Sequence, residues 1–128
     1  DFIGQINFLD TQIIKIEGSS AKVLINKLGE YDLPNNNNNL NQSQSIVCAI
    51  RPETISVSKT NKNISDICIK GVIANTSFYG NMTYIYVNIE GLLKPIMVST
   101  SDDLEGLSHN SECYLNINLK DIRIIQKN

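Results

Sequence analysis

The residues best suited to chemistry are few and scattered. Arg51 and Glu53 flank Pro52 at the end of the apolar run 46–50. Proline fixes φ and removes a ladder donor, so a strand must end, bulge or turn there. The two charges then project from a rigid corner. A guanidinium at such a corner caps strand carbonyls, pairs with a carboxylate or holds an anionic ligand, and the first two roles are the simpler expectation. Ser108, His109 and Asp102 are the residue types of a nucleophile, a base and an orienting acid. The single histidine sits in a polar stretch, however, and reads as a solvated surface residue. Asp102, Asp103 and Glu105 can hold a cation or a polyamine, but the simpler expectation is a soluble loop. Tyr84 and Tyr86 stand two apart and so share a strand face. Outward aromatics on a small barrel stack bases or pack against a protein, and the acidic chain favours the protein. No Cys or His pair has metal-ligand spacing, and no glycine-rich phosphate cradle of the P-loop kind is present. The expectation is no catalytic residue, no metal and no cofactor in this chain.

Charge narrows the partners. The 128 residues carry a net charge of −2, with a pI near 5.3. That is no electrostatic footprint for nucleic acid. No apolar run approaches the roughly 18 residues of a membrane span, and no signal peptide is visible. Cys48, Cys68 and Cys113 each lie in an apolar run and read as buried reduced thiols, which suits a reducing compartment. Four Asn-x-Ser/Thr sequons, at Asn41, Asn63, Asn75 and Asn81, are expected by chance in so asparagine-rich a chain. The Ile, Asn and Lys bias suggests an AT-rich genome. The first residue is Asp1, not Met, which reads as a piece of a longer protein.

The elements that must position these residues are strands. Period-two alternation predicts them at 12–16, 21–26, 28–33, 46–50, 54–58, 67–77, 83–89, 94–100, 113–119 and 122–125. Gly71, inside the 67–77 strand, suggests a bulge or bend. Tyr79-Gly80-Asn81 signals a tight hairpin. The asparagine-rich stretch 35–45 has little to bury and reads as a mobile, disordered loop. No helix is expected, at most a short turn over 102–107. Many short strands at regular intervals imply an all-β fold of one or two small barrels, with Pro52 at a sharp barrel corner. Two intertwined sub-barrels sharing or swapping strands would fall at about 1–58 and 64–128.

Three segments carry a resemblance. "FIGQINFLD" at 2–10, "VCAIRPETISVS" at 47–58 and "GVIANTSFYGNMTYIYVNIEG" at 71–91 occur in the order and spacing of the C-terminal regulatory segment of bacterial ABC importer ATP-binding subunits. That segment is built around the transport-associated oligonucleotide/oligosaccharide-binding-like (TOBE, OB-like) domain. Phe2-Ile3-Gly4 looks like its junction with the ATPase domain. Arg51-Pro52-Glu53 is similar to its "RPE" corner, and Tyr79-Gly80 to its hairpin. The first segment looks closest to the spermidine/putrescine branch, whereas the asparagine loop departs from the family pattern. The resemblance implies a non-catalytic regulatory and dimerisation module. It implies a second copy of the same subunit as partner, and contact with transporter membrane subunits through an ATPase domain outside this chain. ATP and Mg would sit on that domain. The resemblance places the module in the cytoplasm, peripheral to the inner face of the cell membrane. Arg51, Glu53, Tyr79 and Gly80 are the candidate ligand or regulatory contacts it singles out. The alternative is a stand-alone OB-fold domain binding an oligonucleotide or a small anion; for the anion, Arg51, Lys70 and backbone amides would have to converge.

Overall fold

Two five-stranded antiparallel sheets with the same internal order make up the protein. The structure is a computed structural model, and it describes residues 5–35, 40–42, 44–102, 104 and 106–127. Among the described residues it contains ten strands: β1 (Asn7–Glu17), β2 (Ser20–Ile25), β3 (Gly29–Pro34), β4 (Ile46–Ile50), β5 (Ser56–Ser58), β6 (Ile67–Tyr79), β7 (Met82–Asn88), β8 (Ile96–Thr100), β9 (Glu112–Ile117) and β10 (Ile122–Gln126). The first sheet runs β10-β4-β1-β2-β3 and the second β5-β9-β6-β7-β8. The alternation read from the sequence anticipates every strand. β1 begins earlier than expected, because Asn7 to Thr11 pair with Ile50 to Ile46.

The sheets exchange their last strands. The chain leaves β4 through a three-residue 3-10 turn at Pro52–Thr54 and enters the second sheet as β5, paired with β9. It leaves β9 through an identical device at Leu119–Asp121 and returns to the first sheet as β10, paired with β4. The backbone repeats itself at the two crossings. Arg51 and Asn118 are extended before each turn, and Ile55 and Ile122 have φ/ψ of −98°/133° and −101°/133° after it. Pro52 therefore marks a crossing between barrels, where the sequence suggested a corner within one. Its missing N–H costs nothing at the first position of a turn, and its ring is buried. The stretch 58–64 lies between β5 and β6, and each sheet takes one strand from the other side of it.

One hydrophobic core serves both sheets. It joins Val23, Ile25, Leu33, Ile46 and Ile50 of the first to Ile73, Ile85, Val87, Leu115 and Ile117 of the second in a single cluster. Every one of these is at or near zero exposure. Asn7 fastens the junction. Its side-chain amide mimics a peptide: Nδ2 donates to Met97 O at 2.8 Å and to Ile50 O at 3.2 Å, and Oδ1 accepts from Met97 N–H at 2.8 Å. It thereby pairs with the outer edge of β8 as a strand would. Nearby, the β2–β3 turn at Lys27 meets the β7–β8 turn at Gly91, and the Lys27 side chain lies over the glycine.

Gly71 has a different role from the one its position suggests. It pairs regularly with Cys113, and the register shift of β6 against β7 comes later, between Ile73 and Asn75. The glycine is there for close approach. A Cβ at this position would meet Val87 Cγ1 at 2.5 Å, Ile89 Cδ1 at 2.8 Å and the Asn88 carbonyl at 2.9 Å. The hairpin after β6 is as expected, with Gly80 at φ +62° as the first residue of a two-residue turn. Residues 36–39 and 43 of the asparagine-rich stretch, for which a mobile loop was expected, lie outside the described residues.

Gly71→Ala should lower the unfolding free energy by about 1–3 kcal/mol through overpacking, read as a shift of the urea midpoint at constant slope. A variant as stable as the original chain contradicts the close approach. Asn7→Ala strands the Met97 N–H and carbonyl at the barrel junction. It should cost about 1–3 kcal/mol by the same measurement, and an unchanged midpoint contradicts the role of the amide as a fastener.

Candidate functional site

The residues singled out in the sequence do not assemble into one site. Arg51 and Glu53 are exposed at the first crossing. Neither side chain makes a hydrogen bond or ion pair among the described residues, so the expected Arg51 cap or carboxylate pair is not formed. The crossing is held instead by the Arg51 carbonyl, which accepts from Thr54 N–H at 3.1 Å and from Thr54 Oγ1 at 2.7 Å. Tyr79 and Gly80 stand at the tip of the β6–β7 hairpin, whose Thr83 pairs with Thr100 at the far end of β8 from Met97 and the crossing. Lys70 does not join Arg51, because it pairs with Glu112 at 3.3 Å on the outside of the second sheet.

The other candidates also resolve. His109 is exposed, and no hydrogen bond joins it to Ser108 or Asp102 among the described residues. Ser108 Oγ meets Ser111 Oγ at 3.3 Å instead. No nucleophile–base pair exists here, although all three residues border a groove of about 400 Å³ with Ile73, Ile85, Leu104 and Leu107 at its apolar floor. Asp103 and Glu105 of the acidic cluster lie outside the described residues. Tyr84, expected to face outward with Tyr86 as a packing surface for a protein, is only 9% exposed. Tyr79 covers it edge-on, at 5.7 Å between ring centres and 78° between planes. That pairing consumes the face a base would need.

The cysteines divide into two kinds. Cys48 and Cys113 are fully buried, whereas Cys68 is half-buried on the outer face of β6. Burial raises the Cys48 thiol above its ordinary value despite a hydrogen bond from Thr11. Burial also pushes Cys113 up to about 11. Both are thus held as neutral packing groups.

Sequence reasoning passed over a polar groove on the first barrel. Its volume is about 490 Å³, and Asp10, Gln12, Asn26, Gln42, Gln44, Ser45 and Lys127 supply most of its polar lining. Strand pairing builds it from three directions. β1 contributes Asp10 and Gln12, the turn after β2 contributes Asn26, and the segments entering β4 and leaving β10 contribute Ser45 and Lys127. The backbone holds these walls together: Asn26 N–H donates to Asp10 O at 2.9 Å and Lys127 N–H to Ser45 O at 2.9 Å. Lys127 Nζ donates to Asp10 Oδ1 at 3.0 Å. Gln42 Nε2 donates to the Ile14 carbonyl, and Gln44 Oε1 accepts from Asn41 N–H at 2.8 Å. The side chains of Gln12, Asn26 and Ser45 carry no hydrogen bond to protein among the described residues. Two side-chain amides and a hydroxyl, each able to donate and to accept, thus line one concavity beside the Lys127 ammonium and the Asp10 carboxylate, and their donors can serve the oxygens of a small ligand. Ile13, Leu24 and Ile46 supply its apolar lining. Nothing in sequence marks these residues, which stand singly at strand ends far apart in the chain.

The fold and groove together define a class: an all-β protein of two OB-like barrels that swap a strand. Neither a protein-family model nor a curated protein sequence matches the chain. Among solved structures the fold is similar to that of ModG, a cytoplasmic molybdate-binding protein, in a crystal form with molybdate bound. The TM-score is 0.70, with 92% of this chain and 94% of that chain covered at 10% identity. At that identity the likeness is one of fold, and the all-β, OB-like architecture read from the sequence is borne out. Among the described residues no helix is long and apolar enough to cross a membrane.

Cys68 should react with a thiol reagent at pH 8 in the native protein, giving one equivalent, and all three cysteines should react in denaturant. Native reaction of Cys113 at the rate of Cys68 contradicts its burial. The raised Cys113 pKa also predicts a pH dependence. The unfolded thiol ionises near 9.0 and the folded one near 11. Folding stability is therefore whole below pH 9 and falls as pH rises through 11. Urea midpoints should drop across that window, and less so in Cys113→Ala.

Proposed function

We propose that this chain is a non-catalytic binding module for a small oxyanion, held in the polar groove of the first barrel. One observation carries the reading: the side-chain donors of Gln12, Asn26 and Ser45, with the ammonium of Lys127, line one concavity of a fold shared with a molybdate-binding protein. Hydrogen-bond donors aimed at a common point favour a ligand rich in acceptor oxygens. Among the described lining residues the Ser45 hydroxyl has no hydrogen bond to a base, which supports capture rather than turnover.

A second reading concerns what such capture would control. The "RPE" crossing at Arg51-Pro52-Glu53 and the Tyr79-Gly80 hairpin follow the order found in regulatory segments of importer ATP-binding subunits. On this reading the module pairs with a second copy and reports ligand occupancy to an ATPase domain outside this chain. The tether keeps two such domains at high effective concentration. A polyamine importer is the branch that the first segment favours.

Calorimetric titration of the chain with molybdate at low salt should show saturable binding. Lys127→Ala should weaken it about tenfold, the loss of one charge-assisted hydrogen bond. Absence of binding for molybdate, sulfate and phosphate alike contradicts the oxyanion reading. ATP hydrolysis by the chain above background contradicts the non-catalytic one.

A further inference from the structure

We infer that Asp10 is a competitor anion built into the groove, and that it sets how the site discriminates between ligands of different charge; the inference rests on the oxyanion reading of this groove. Asp10 Oδ1 accepts from Lys127 Nζ at 3.0 Å, and these are the only charged side chains among the described lining residues. Both partners are anchored at the walls. The Asp10 carbonyl accepts from Asn26 N–H, and the Lys127 N–H donates to the Ser45 carbonyl. Both charges therefore start from backbone fixed at the edge of the concavity.

The pair is open to solvent, with the Lys127 side chain 45% exposed and that of Asp10 75% exposed. Exposed ion pairs of this kind are weak, so an arriving anion takes the ammonium from Asp10 at little cost. The carboxylate stays beside the ligand afterwards. Its repulsion grows in proportion to ligand charge. At ~6 Å in a water-like dielectric this amounts to about threefold in affinity per charge, hence about tenfold against a dianion. Gln12, Asn26 and Ser45 are neutral and bind either kind alike. The carboxylate is therefore the element that holds back dianions relative to monoanions of the same shape.

The test compares the full chain with Asp10→Asn, which keeps side-chain size and removes the charge. Molybdate serves as the dianion and perrhenate as a tetrahedral monoanion of similar size. Asp10→Asn should tighten molybdate about tenfold and perrhenate about threefold. Asp32→Asn makes the same change in net charge on β3, outside the groove, and should leave the ratio of the two affinities unchanged. Asp10→Ser should repeat the charge-dependent gain if Asp10→Asn is found to shift the urea midpoint. Molybdate binding by the unmodified chain, with equal or no gain in the variants, overturns the role of Asp10 and leaves the site standing. Silence of chain and variants toward both anions overturns the site, and the role of Asp10 with it.

Discussion

Each sheet of this protein takes its fifth strand from the other half of the chain. β4 must find β10 across more than seventy residues of sequence, and β9 must find β5 across nearly sixty. This reciprocal exchange constrains everything else. Neither sheet can complete its hydrogen bonding alone, and an unfinished sheet edge in a small barrel is a site of non-specific pairing. Two short 3-10 turns with matching backbone angles carry the chain across in each direction. A continuous core then spans the junction, and the Asn7 amide pins β8 to the first barrel.

The same exchange produces the groove. Lys127 follows β10, so it reaches the first barrel only because that strand crosses back. There it meets Asp10 on β1 and lies beside Ser45 at the start of β4. The first half of the chain supplies every described lining residue but Lys127, which the exchange brings in from the other end. The second barrel builds a different groove at its loop side, with an apolar floor and His109 at its border. Similar strand order therefore gives two surfaces of unlike chemistry, and the polar one suits an anion.

The strands were legible because burial on one face imposes period two. Ile85, Val87 and Ile96 announce their inward face whatever they pair with. Pairing partners were not legible, because alternation fixes a face and leaves the neighbour open. A repeat was nevertheless present: Ile50 to Val57 and Ile117 to Ile124 place apolar residues at the same intervals around each crossing. Reading that repeat would have revealed the exchange. At Gly71 the sequence shows a missing side chain without showing what crowds it, so a close approach reads as a bulge. Tyr84 was misjudged because outward residues are normally wet, and here Tyr79 folds over it. The groove was invisible for a simpler reason. Gln12, Asn26, Ser45 and Lys127 are ordinary surface types, and only the strand register brings them together.

The most direct measurement of the exchange is native-state amide hydrogen exchange on the full chain, comparing it with Ile25→Val. Ile25 is fully buried in the first barrel, and the substitution should cost about 1 kcal/mol. If the barrels complete each other, the slowest amides of the second barrel, such as those of Ile85 and Leu115, lose protection by the same amount as those of Val23 and Cys48, because all exchange through one global opening. Loss of protection confined to the first barrel, with Ile85 and Leu115 unchanged, would show two independently stable units and contradict the account.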